Sequence, residues 1–312
     1  MSSAFVFPGQ GAQTIGMGRA LAETYPAARA VFEEVDDALG EPLSALIWDG
    51  DIETLTLTAN AQPALMATSI AALRALEAEG LGLRTASFVA GHSLGEYSAL
   101  CAAGALTLSD TARLLRIRGQ AMQDAVPVGV GAMAALLGLD FAQATEVAAE
   151  AAQGEVCQAA NDNDPAQVVI SGHKAAVDRA LEIAQAKGVR RAILLPVSAP
   201  FHCALMQPAA SVMSDALAAV VISVPRVPVV VNVRAEAVTE PDKFRDLLIA
   251  QITGAVRWRE SVDWMVRADV TEFWELGAGK ALSGMIRRIA KDSVTRAVGT
   301  PEDVAALKGA TS

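Results

Sequence analysis

The chain has 312 residues, 52% of them hydrophobic and 19% charged, which is ample material for a large packed core and argues against disorder. Its length leaves open one large domain or two unequal ones. A net charge of −10 disfavours nonspecific binding to nucleic acid or to an anionic membrane.

Short apolar runs predict strands at 4–7, 87–90, 133–137, 168–170, 192–195, 229–231 and 271–275. Helical periodicity fills 59–79, 109–124, 142–152, 175–186 and 204–219. The alternation predicts an α/β protein with a mostly parallel sheet. The stretch 126–195 stands apart: it reads strand, helix, strand, strand, helix, strand, the order of a ferredoxin-like unit. Pro127 and Gly129 before it, and Pro196 and Pro200 after it, suit crossover points. We therefore expect a small ferredoxin-like domain, 126–196, inserted in a large α/β domain built from 1–125 and 197–312.

Residues 1–8 carry no basic leader, and no run reaches the roughly 18 apolar residues a membrane helix needs. Cys101, Cys157 and Cys203 lack CxxC spacing and read as free thiols of a reducing compartment. A soluble cytoplasmic protein is the expectation.

The sharpest motif is Gly91-His92-Ser93-Leu94-Gly95, set between an apolar run and the helix-like stretch 96–103. Strand, tight turn and helix are the context of a nucleophile elbow, where glycines permit close backbone packing. Ala99, Ala102 and Ala103 would let the following helix sit close to the sheet. Its N-terminal amides would face a developing oxyanion. The alternative is a chance pentapeptide in a chain rich in Gly and Ala.

A serine hydroxyl needs a base, and the chain offers His92, His173 and His202. His92 adjoins the serine and would point away from it. His173 opens a helix of the small domain and reads as a cap or surface residue. His202 follows a strand in a loop, where catalytic groups tend to lie, and is the base by elimination. No Cys/His/Asp spacing indicates zinc, and the glycines near 129–131 precede a strand instead of opening a helix. No metal or resident cofactor is expected.

On the helix-like stretch 109–124, at about 100° per residue, Arg118 shares a face with Thr111, Leu114, Leu115 and Met122. Arg113, Arg116, Gln120 and Gln123 face the other way. A guanidinium on an apolar face needs an anionic partner. That partner is either a carboxylate elsewhere in the fold or a carboxylate of the substrate, gripped by the planar fork.

Together, Phe7-Pro8-Gly9-Gln10-Gly11-Ala12-Gln13, Gly91-His92-Ser93-Leu94-Gly95-Glu96-Tyr97, Arg118-Gly119-Gln120, Pro200-Phe201-His202-Cys203 and Glu275-Leu276-Gly277-Ala278-Gly279-Lys280 resemble the bacterial malonyl-CoA:acyl-carrier-protein transacylases. Acyltransferase domains of polyketide and fatty acid synthases carry the same pattern. The resemblance implies that Ser93 is acylated, that His202 is base and then acid, and that Arg118 holds the malonyl carboxylate. It places the oxyanion donors at the amides of Gln10 and Leu94, and makes the main-chain carbonyl of Gln251 the group that orients the histidine. Phe201, before the histidine, accompanies malonyl in related domains. The stand-alone bacterial enzymes commonly have Ser there, so a polyketide role stays open. Coenzyme A thioester is then a substrate, not a cofactor.

The implied partners are malonyl-CoA and an acidic acyl carrier protein, with a monomeric enzyme. An acidic partner requires a basic landing site on an acidic chain. Lys187, Arg190 and Arg191 form one such group, and Arg287, Arg288 and Lys291 another; either could equally be ordinary solvated charge. A serine esterase or thioesterase is the nearest rival reading, and a noncatalytic carrier-binding module a more distant one.

Overall fold

The computed structural model describes residues 2–189, 191–197 and 199–311. Its ten strands are β1 (Ser2–Phe7), β2 (Ala86–Gly91), β3 (Gly131–Leu137), β4 (Cys157–Asp164), β5 (Gln167–His173), β6 (Arg191–Leu194), β7 (Val229–Val231), β8 (Glu236–Val238), β9 (Val270–Leu276) and β10 (Val294–Val298). They form two sheets.

The larger sheet has the order β10-β9-β1-β2-β7-β8 and is parallel except for the edge strand β8. Alternation along β1 decides what each face buries. Ala4 and Val6 join Trp258, Val262 and Leu282 on one side. Phe5 and Phe7 join the helix Thr58–Ala78 on the other, with Phe5 stacked on Trp274 at 5.2 Å. That helix is apolar nearly all round, as expected of one wedged between a sheet and the outer helices Pro26–Leu39 and Leu108–Asp124. Phe7 pairs with Gly91, so the carboxyl ends of β1 and β2 lie side by side, where ligands of parallel sheets are found.

The smaller sheet is antiparallel, in the order β4-β5-β3-β6, with helices Phe141–Ala152 and Lys174–Ala186 packed on one face. Strand–helix–strand–strand–helix–strand in this order is the ferredoxin-like arrangement. Ala132, Ala134 and Leu136 face those helices, whereas Met133 and Ala135 face the main core.

The two sheets are tied through β4. Asp162 N donates to Val256 O, and Val256 N to Ala160 O, both at 2.9 Å. Asp162 pairs with Arg259 at 2.9 Å and Asp164 with Arg288 at 2.7 Å.

The fold differs from the sequence expectation in several places, including the strands β8 and β10 and the helices Pro241–Thr253, Trp258–Arg267 and Pro301–Thr311. The single helix expected at 204–219 is a 3-10 turn, Ala204–Met206, followed by the helix Gln207–Ala218. Pro208 has no N–H to donate and suits only a first helical turn, so it starts the helix anew. Four helices between Arg19 and Thr56 were also not anticipated. Among the described residues, no helix is long and apolar enough to cross a membrane.

Candidate active site

The site is built around a reversal of the chain. β2 ends at Gly91 and the helix Leu94–Ala102 starts three residues later, leaving Ser93 at φ 55°, ψ −110°. Such a backbone persists only when its surroundings hold it. A Cβ on Gly91 would lie 1.9 Å from the Gly95 carbonyl carbon, and one on Gly95 would lie 2.2 Å from Phe7 O. Asn232, just beyond β7, supplies the restraint. Its Oδ1 accepts the Ser93 N–H at 2.8 Å and its Nδ2 donates to Gly91 O at 2.7 Å.

His202 Nε2 lies 2.7 Å from Ser93 Oγ, and His202 Nδ1 lies 2.9 Å from Gln251 O. Gln251 lies in the last turn of the helix Pro241–Thr253, where the final carbonyls have no intrahelical donor and can take a side chain. With Nδ1–H given to that carbonyl, Nε2 carries the lone pair that faces the serine hydroxyl. Burial, and then the nearby Arg118 cation, push the His202 imidazole down to about 3. It is therefore neutral at pH 7, as a base must be.

Arg118 is fully buried. It donates to Gln62 Oε1 at 2.7 Å, to Gln251 Oε1 at 2.8 Å and to Ser93 Oγ at 3.0 Å, and lies over the Tyr97 ring at 5.5 Å. The neighbouring Gly119 brings its helix close enough for this, since a Cβ there would lie 2.5 Å from Thr58 O. All three acceptors are neutral, and no ion pair within 4.0 Å among the described residues includes Arg118. The internal carboxylate partner that the sequence left open is not found. The guanidinium faces the cleft with no carboxylate in direct contact; the buried Glu96 acts on it from a distance, linked through the Gln251 amide.

The cleft, about 540 Å³, lies between the sheets. Gln10, Ser93, Leu94, Arg118, Phe201 and His202 line one side, and Met133, Asn161, Asn163 and Val169 of the small sheet line the other. His92 points away from the serine oxygen and bonds Asn163 Oδ1 through Nε2 at 2.9 Å, bridging the two walls. Gln10 Nε2 donates to Thr58 Oγ1 at 3.1 Å. Thus Ser93, His202, Arg118 and Gln251 converge, and Gln10, Leu94 and Phe201 share their cleft.

The basic groups are placed differently. Lys187 is exposed and paired with Glu150 at 2.8 Å, Arg191 is exposed at the start of β6, and Arg190 lies outside the described residues. Arg191 precedes the cleft-lining Leu195 by four residues, or about 13 Å of extended chain. In the second group, Arg288 is engaged by Asp164 and Arg287 by Thr295. His173 stands at a helix N-cap, and its Nδ1 accepts the Val156 N–H at 2.9 Å.

Sequence reasoning missed Gln62, Glu96 and Asn232. Glu96 lies beneath the elbow, where its Oε2 accepts from Asn232 N and Gln251 Nε2, each at 2.9 Å. Burial pushes its carboxyl up to about 7. In sequence it is one acidic residue in the first turn of a helix, and nothing local marks it as buried. Asn232 could have been suspected from its position just after an apolar strand.

The acyl transferase domain family matches residues 4–295. The malonyl CoA-acyl carrier protein transacylase of Bacillus subtilis is 48% identical over 304 residues, covering 96% of this chain and 94% of that protein. This chain belongs to the malonyl-CoA:acyl-carrier-protein transacylases, a family of acyltransferases. The acyl-carrier-protein-S-malonyltransferase of Bartonella henselae superposes with a TM-score of 0.97 at 55% identity, over 99% of each chain. A malonyl-transacylase solved in complex with a type II polyketide-synthase acyl-carrier protein superposes with a TM-score of 0.96 at 39% identity, over 99% of this chain and 100% of that one. The transacylase likeness therefore spans both sheets.

Proposed function

We propose that this acyltransferase moves malonyl from coenzyme A to the phosphopantetheine thiol of an acyl carrier protein through a malonyl-Ser93 intermediate. The observation that carries the reading is the convergence on Ser93 Oγ of His202 Nε2 at 2.7 Å and Arg118 at 3.0 Å. A nucleophile and base stand beside a buried cation that no carboxylate touches directly, a pairing suited to an acyl group that bears its own carboxylate.

In the first half-reaction His202 Nε2 takes the Ser93 proton as Oγ attacks the thioester carbonyl. The amides of Gln10 and Leu94 receive the oxyanion. The C–S bond then breaks, and the imidazolium returns its proton to the departing thiolate. Gln251 O supports the imidazolium in place of the acid of a full triad. In the second half-reaction the carrier thiol enters and loses its proton to His202 as its sulfur attacks the acyl carbonyl; the C–Oγ bond breaks and the imidazolium returns that proton to Ser93 Oγ. General-base assistance of this kind is worth about 10²–10⁴-fold.

Arg118 holds the malonyl carboxylate through charge-assisted bonds, and Phe201 closes the same cleft. For carrier docking, Arg191 and Lys187 support an approach along β6 toward Leu195. The named relatives support both substrates. A polyketide pathway would use the same chemistry with a different carrier, as in the relative solved with its polyketide carrier.

Intact mass after brief exposure to malonyl-CoA, with Ser93→Ala as control, tests the reading. A single malonyl adduct absent from the variant is expected. Thioester loss with no adduct would point instead to a hydrolase.

A further inference from the structure

Glu96 is buried completely, and no ion pair among the described residues includes it. Its Oε2 accepts two hydrogen bonds, from Asn232 N and from Gln251 Nε2, each at 2.9 Å. The same Gln251 amide nitrogen also reaches Ser93 O at 3.0 Å and Asn232 Oδ1 at 3.3 Å. The two N–H groups of this amide are thus shared among three acceptors, all belonging to the elbow or to Asn232. Fixing the nitrogen fixes the amide's other end, because the group is planar. That end, Oε1, accepts from Arg118 at 2.8 Å, while the main-chain O of the same residue lies 2.9 Å from His202 Nδ1.

We propose that Glu96 is a positioning residue for acyl transfer: its carboxylate locks the Gln251 side chain, which aims Arg118 at the acyl carboxylate while its main chain aims His202 at Ser93. The inference rests on the functional reading above and names a residue that acts at that site without touching substrate. The requirement is for an acceptor at the correct reach. A side chain one methylene shorter cannot span to Gln251 Nε2 while Asn232 N holds it, whereas the amide of glutamine can. Because the carboxylate that Arg118 holds is present in malonyl and absent from acetyl, its misplacement weakens malonyl transfer more than acetyl transfer.

The test compares Glu96→Asp with Glu96→Gln, both conservative enough to fold. The rate of Ser93 acylation is measured by rapid quench with malonyl-CoA and with acetyl-CoA. Glu96→Asp keeps the charge and loses the reach, and it is expected to lower malonyl acylation by at least about tenfold. Its malonyl-to-acetyl rate ratio should fall as well. Glu96→Gln keeps the reach and loses the charge, and it is expected to retain the wild-type ratio and a rate within about threefold. An Asp variant with an unchanged ratio, or a Gln variant as impaired as the Asp variant, overturns the proposal. Acylation of the wild-type enzyme by malonyl-CoA reports separately on the functional reading, so the two can fail independently.

Discussion

Arg259 grips Asp162 across the seam between the two sheets, with Nε 3.1 Å from Oδ1 and NH2 2.9 Å from Oδ2. Asp162 is buried and its partner only partly so. Burial holds the Asp162 carboxyl above its usual range, and Arg259 opposes that effect. Asn161 and Asn163 alternate with it along β4 and face the cleft. The ion pair therefore bears on the cleft wall as well as on stability. Arg259→Met leaves a buried carboxylate without its partner, and we expect a loss of about 2–3 kcal/mol. Urea unfolding measures it, and an unchanged midpoint would show that the seam does not depend on this pair.

Arg118→Ala removes the cleft's cation. A hydrogen bond to a charged group contributes roughly 1.5–3 kcal/mol, so malonyl transfer should fall by about one to two orders of magnitude while acetyl transfer holds or improves. Steady-state kinetics with both donors decides the point. Unchanged selectivity would remove Arg118 from the proposed role.

The elbow tolerates no side chain at its flanks. Gly95→Ala would drive a Cβ to 2.2 Å from Phe7 O, which is backbone and cannot swing aside. We expect the variant to be destabilised and Ser93 to be displaced, with acylation lost even in protein that remains folded. A folded variant that forms the malonyl adduct at the wild-type rate would contradict this geometry.

Two buried groups give the site opposite pH responses. The Glu96 carboxyl, raised from 4.5 to about 7, contributes stability that is complete below about 4.5 and drains away as pH rises through 7. His202, lowered from 6.5 to about 3, contributes above 6.5 and loses its contribution as pH falls toward 3. Glu96→Gln has no proton to lose, so its stability should rise relative to wild type between about pH 5 and about pH 8, by on the order of 3 kcal/mol. Parallel stability curves for the two proteins would assign the alkaline slope to another group.

The legible parts of this molecule were those in which one residue's chemistry conflicts with its setting. Ser93 between two glycines and Arg118 on an apolar face announced themselves, because each would be costly without a function. The main strands were legible because their apolar runs are buried on both faces. β4 was not: its final residues, Asn161, Asp162, Asn163 and Asp164, look like a polar loop. They form a strand because one face meets the cleft and the other meets Arg259 and Arg288. Glu96 and Asn232 were hidden for a different reason. Their partners are 136 residues apart in sequence and become neighbours only once the parallel sheet is assembled.

That sequence separation has a bearing on biosynthesis. Ser93 emerges 109 residues ahead of His202, whose Nε2 faces its hydroxyl, and 158 ahead of Gln251, whose side chain meets its carbonyl. The whole small sheet is made in between. A chain that stops short of residue 202 thus carries the serine without the imidazole that faces it and without Asn232, which holds its amide. The surroundings of Ser93 are therefore complete only after the small sheet has been made and the chain has passed Gln251.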